Sequence, residues 1–209
     1  LNSGNADASS DTVKYISGQI SDMSPELVYV KPQESGVNGG NLNLDEGATQ
    51  GKIDEVFQGH ATLVSDAPLE IMLNSDINLK ETLVISNNII INLNGHTIKG
   101  PDGTKESPDG KPALKVASDN VKIILRGEGK VIGGNGYSDS EGGNGGDGGS
   151  GITFGDTEGG SLVTGEDTTV QGGEGGQSTE GVGGDGGSGV EGKDIDATIG
   201  GDLLGGDGG

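Results

Sequence analysis

The chain has 209 residues, 45 of them glycine, and sets 12 Lys and Arg against 33 Asp and Glu for a net charge of −21. With no cysteine, no tryptophan and 2% aromatic residues, it offers no disulfide framework, no thiolate zinc site and no aromatic-rich enzyme core. The acidic balance excludes nucleic acid as a partner, because no clustered Lys/Arg face supplies counterion release. No stretch approaches the roughly 18–20 apolar residues of a membrane span, so no membrane insertion is expected.

Residues 1–51 are rich in Ser, Asn, Gly and acids around one apolar patch, Leu27–Val30, and are expected to form a flexible or loosely packed leader. Residues 52–81 are expected to form an N-terminal cap. Within them, Ile53, Val56, Phe57, Ala61 and Val64 recur at helical spacing, weakened by Gly59. The runs LEIML (69–73) and INL (77–79), parted by Asn74-Ser75-Asp76, are expected strands.

From residue 82 the sequence repeats. VISNNIIINLNG (84–95) aligns at an offset of 32 with VASDNVKIILRG (116–127), pairing Asn88 with Asn120, Ile91 with Ile123 and Leu93 with Leu125. A third copy follows at about 38, with Leu114 on Ile152, Leu125 on Val163, Gly127 on Gly165 and VIGG (131–134) on VQGG (170–173). A fourth begins at Val190 and is incomplete, which leads to the expectation that the native protein continues with further coils. The expected coils are 82–113, 114–151, 152–189 and 190–209. Each holds about three short strands, too long a period for a hairpin, and the physical solution is a solenoid whose equivalent strands stack in parallel. Alternation places Ile89, Ile91 and Leu93 inward and Ile90 and Asn92 outward. A buried stack of Asn88 on Asn120 would satisfy the corner amides.

TLVISNNIIINLNGHTIKG followed by ALKVASDNVKIILRGEGKVIGGNG, after the strand-rich opening LEIMLNSDINLKETLVI, resembles the right-handed parallel β-helix of the pectate-lyase-like superfamily, in the form of bacterial surface adhesins and autotransporter passengers. The resemblance spans 69–209. It implies an all-β solenoid with an N-terminal cap and glycine-rich insertions, and its LNG-T-I signature serves coil geometry rather than chemistry. Fold alone does not transfer an activity.

Glycine concentrates late: 31 of the 45 lie in 133–209, whereas all six prolines precede residue 133. GGN, GGD and GGS triplets run through 142–151, GGE and GGQ through 172–177, GGD and GGS through 183–189, and GGD returns at 200 and 205. A period of three is that of the polyproline-II helix. The runs read either as flexible glycine loops or as extended threefold segments packed in a polyglycine-II layer. GGNGGDGGS (142–150) meets only the first six positions of the calcium-binding GGxGxDxUx nonapeptide, and no tandem copy follows. No cofactor is therefore expected, although the acidic surface could hold calcium loosely.

No catalytic, cofactor or metal residue is assigned. The resemblance implies that lyases of the superfamily use calcium-binding aspartates with a basic Arg or Lys, and hydrolases use paired or tripled aspartates. Arg126, the only arginine, has no repeated acid cluster beside it. Asp102, Asp109 and Asp119 fall on turns, and His60 and His96 lack a second ligand at metal spacing. Thr97, Thr153, Thr164, Thr168 and Thr169 lack the ladder spacing of an ice-binding face. The expected function is a non-catalytic bacterial surface or secreted protein, an adhesin or stalk module binding a host protein or glycan. The alternative is a piece of a carbohydrate-active β-helix enzyme whose catalytic coils lie beyond residue 209.

Overall fold

The computed structural model describes residues 69–209; the expected leader and the helix over 53–64 lie outside the described residues. Fourteen strands are described: β1 (Leu69–Met72), β2 (Ile77–Asn78), β3 (Leu83–Ile85), β4 (Ile89–Asn92), β5 (His96–Lys99), β6 (Leu114–Val116), β7 (Lys122–Arg126), β8 (Gly129–Ile132), β9 (Ile152–Thr153), β10 (Ser161–Thr164), β11 (Thr168–Gln171), β12 (Val190–Glu191), β13 (Asp196–Ile199) and β14 (Asp202–Leu204). Among the described residues there is no helix. The strands stack in three sheets, β1-β4-β7-β10-β13, β2-β5-β8-β11-β14 and β3-β6-β9-β12, and all pairings are parallel. The chain visits the three sheets in turn and returns to the first one layer further on, an order compatible with a β-helix-like solenoid.

Short strands suffice because each layer adds a few inward side chains to continuous ladders. Ile71, Ile91 and Leu125 align in the first sheet, Ile77, Ile98, Val131 and Val170 in the second, and Leu83, Leu114 and Ile152 in the third. All are buried, and Phe154 beside them is the largest fully buried side chain. Later layers substitute Thr164 and Thr168 at buried positions. Both hydroxyls stay satisfied, Thr168 donating to the Gly127 carbonyl at 3.1 Å and Thr164 accepting from the Gly200 N–H at 3.1 Å, as buried polar groups require.

The LNG-T-I signature does serve geometry. Asn94 and Gly95 adopt φ of 50° and 85°, a left-handed pair that glycine and asparagine tolerate. The His96 N–H closes the turn on the Leu93 carbonyl at 2.9 Å, and the Asn94 amide donates to the Leu73 carbonyl one layer back, also at 2.9 Å. Leu93 and Ile98 flank the turn and are buried.

Several expectations need correction. The uniform offset of 32 does not hold: the layers pair at 31 (Leu83 with Leu114), 34 (Ile89 with Ile123) and 33 (Ile98 with Val131). Ile91 therefore pairs with Leu125, not Ile123. In the next layer Leu125 pairs with Thr164 and Ile124 with Val163, although Leu114 with Ile152 and Val131 with Val170 stand. Corners of different length in successive layers absorb the differences. Ile90 occupies an outward row with Glu70, Ile124 and Val163, yet Ile90 and Ile124 are buried; three successive isoleucines are the pattern of a strand covered on both faces. Asn88 and Asn120 do not stack in a buried ladder. Both are exposed; the Asn88 side chain accepts from the Lys122 N–H at 2.8 Å, while Asn120 takes a left-handed φ of 57° and its N–H donates to the Glu158 carbonyl.

Candidate functional site

Among the described residues the long glycine-rich runs leave the stack at the same crossing, from the second sheet to the third: 100–113 between β5 and β6, 133–151 between β8 and β9, and 172–189 between β11 and β12, whereas Gly200 and Gly201 form the corner between β13 and β14. Residues 205–209 follow β14 on the same course. Outgoing segments stack on outgoing ones. The Gly100 N–H donates to Ile132, Gly103 to Asn135, Gly133 to Gln171, Gly136 to Glu174, Gly172 to Leu204 and Gly175 to Asp207, all at backbone carbonyls. Returning segments do likewise, with Gly110 donating to Asp147, Gly145 to Val182, Gly148 to Asp185 and Gly151 to Ser188.

The two stacks are then cross-linked through the remaining glycines. Gly134 donates to Lys111, Gly149 to Gly134, Gly173 to Gly149, Gly176 to Gly146, Gly184 to Gly176, Gly187 to Gly173, Gly206 to Gly187 and Gly209 to Gly184. In the triplets 133–135, 145–147, 148–150, 172–174 and 175–177 the work is divided by position: the first glycine bonds along its own stack and the second bonds the opposite stack. The second glycine has no alternative, since a Cβ at Gly146 would run into the Pro108 carbonyl and one at Gly173 into that of Gly134. Pro101 stands where later excursions have Gly134, Gly173 and Gly206. Those glycines donate to a returning segment one layer earlier. No such segment precedes Pro101 among the described residues, so its missing N–H loses nothing there, and proline's fixed φ suits an extended threefold segment.

The x residues satisfy the last set of amides. Asp102 accepts from the Asn135 N–H at 2.7 Å and Asn135 from that of Glu174 at 3.1 Å. On the returning side Asp109 accepts from Asp147 at 3.0 Å, Asp147 from Asp185 at 2.8 Å and Asn144 from Val182 at 3.0 Å. Asp119 does the same outside the glycine runs, accepting from the Glu158 N–H at 2.9 Å. Sequence reasoning missed this role. The signal was available, since Asp or Asn recurs at one phase of successive triplets.

At the tips, Asp139 accepts from the N–H groups of Glu141 and Gly143 at 2.6 and 3.2 Å. These bonds hold its carboxyl below the usual carboxylate range. One layer on, Ser178 receives the Gly181 N–H at 2.7 Å. Lys105 bridges layers to Glu141, a contact that raises the lysine pKa.

The residues weighed for catalysis lie apart. Arg126 forms a half-buried ion pair with Glu70, spanning the first sheet. His96 lies 3.5 Å from Asp76, whose same oxygen accepts the Thr97 N–H at 2.9 Å. Asp102 also receives Lys99 at 2.8 Å. Among the described residues no group of three His, Cys, Asp or Glu could hold a metal, and no helix is long and apolar enough to cross a membrane. The outgoing face carries a shallow groove of about 310 Å³, lined by Asn135, Ser138, Glu174, Gln177 and Asp207 over a glycine floor.

No protein-family model, no curated protein and no solved structure matches this sequence. What agrees with the expected class is the architecture: all-β, with parallel strands stacked in sheets.

Proposed function

We propose that this chain is a non-catalytic module of a bacterial surface or secreted protein. It is built as a right-handed parallel β-helix buttressed by a polyglycine-II layer, and it binds a host protein or glycan through its long flank or its glycine face. The observation that carries this reading is the use of the acids. Asp102, Asp109, Asp119 and Asp147 spend an oxygen on the amide of the following layer, and so build length rather than converge on a scissile bond. The one arginine is likewise engaged by Glu70, which leaves it poorly suited to abstract a proton from a sugar. A stack hydrogen-bonded along two parallel systems makes a stiff projecting rod, a form suited to presenting a binding face away from a cell.

The test has two arms. The purified chain is applied to immobilised host-surface glycans and extracellular-matrix proteins, with saturable binding expected. It is also incubated with polyuronate and followed for unsaturated product. Turnover in the second arm would overturn the non-catalytic reading, and absence of binding in the first would overturn the adhesive one.

A further inference from the structure

We infer that the groove on the outgoing glycine face is a binding site for a neutral oligosaccharide; this rests on the surface-module reading and names its ligand class and its face. A threefold segment repeats its side-chain direction every three residues, about 9 Å at roughly 3.1 Å per residue. Asn135, Glu174 and Asp207 on successive layers therefore form one column and Ser138 and Gln177 a second, with a trough between the columns. Glycine backbone floors the trough, which lets a ligand approach closely. Its volume of about 310 Å³ falls at the lower end of the range for ligand clefts, about 300–1,000 Å³.

The free groups fit hydroxyls. Asn135 uses its carbonyl oxygen on the Glu174 N–H and keeps its NH2 as a donor. Ser138 accepts the Gln177 N–H at 3.0 Å and keeps its O–H. Glu174, Gln177 and Asp207 present side chains with no protein partner among the described residues, so the trough offers donors from Asn135, Ser138 and Gln177 together with acceptors from Glu174, Gln177 and Asp207. Within each column successive side chains are separated by the layer rise, about 4.8 Å, a spacing at which neighbouring hydroxyls of a sugar chain can be held.

Charge narrows the class. Two carboxylates lie in the groove, and residues 132–209 contain 15 Asp and Glu against the single Lys193, so polyuronates and sialylated chains are repelled.

The experiment titrates the 209-residue chain calorimetrically with neutral gluco-, galacto- and manno-oligosaccharides and with polygalacturonate. Binding of at least one neutral series is expected, weakened tenfold or more in Gln177→Ala and Glu174→Ala. Asp185→Ala, on the opposite glycine face, should leave it unchanged, and circular dichroism on each variant verifies the fold. Neutral-glycan binding that ignores both groove variants overturns the groove while leaving an adhesive module in place. Binding of polygalacturonate alone overturns the charge argument, and a chain that binds a host protein but no glycan overturns this inference without touching the surface-module reading.

Discussion

The strand stack and the glycine layer face the same requirement, a hydrogen-bond partner for every buried N–H, and meet it with opposite chemistry. In the stack, parallel ladders pair the backbone in one direction and large side chains such as Ile91, Leu125 and Phe154 fill the space between sheets. In the layer, hydrogen bonds run both within and between stacks, so the space that side chains would fill is occupied by other backbones. Glycine there is the dense solution, and its high entropic cost on ordering is offset by the hydrogen bonds donated within and between the stacks.

That contrast can be broken by substitution. The largest loss is expected in the stack: Phe154→Ala, which empties a fully buried site, should cost about 3–5 kcal/mol by chemical denaturation. In the layer the damaging change is an addition. Gly136→Ala would press a methyl into the Gly146 carbonyl and should cost about 1–3 kcal/mol, although alanine is the better residue in most contexts. A smaller effect is expected where the triplet leaves room: Asn144→Ala removes one acceptor from the Val182 N–H at an exposed position and should cost about 1 kcal/mol or less. An Asn144→Ala loss equal to that of Gly136→Ala would show that the positions are not distinguished as described.

The tips provide the smallest effect, and its sign follows from Asp139. Its carboxyl pKa is lowered in the folded chain by the Glu141 and Gly143 N–H groups. The contribution is thus present above the ordinary aspartate pKa and lost as pH falls through the depressed folded value. Asp139→Asn should therefore lower stability slightly near neutrality, where that contribution is present, change little in strong acid, where it is already lost, and flatten the stability–pH profile between the two.

Much of the stack was legible in the sequence, because alternation and repetition report inward ladders directly. Register was less so. A gapless offset of 32 matches none of the three sheets, which join the same two coils at 31, 34 and 33, and a corner one residue longer looks like nothing in a chain of Ser, Asn and Gly. Ile90 misled for a related reason, since strict alternation assigns it to solvent while the Ile89–Ile91 run marks burial on both faces. For the layer, the triplet period suggested a threefold segment but left a flexible loop equally open, because composition does not say where the backbone bonds go. The groove was not legible at all: Asn135 with Glu174 and Ser138 with Gln177 share a face only once the outgoing segments are stacked in register.

The central claim is that the glycine runs are an ordered, backbone-bonded layer, and amide hydrogen exchange tests it most directly. The amides of Gly146, Gly149, Gly173, Gly176, Gly184 and Gly187, which donate between the two stacks, should be protected to the same order as those of β7 and β10. Exchange of these six amides at the rate of an unstructured glycine chain, with the strands still protected, would contradict the account.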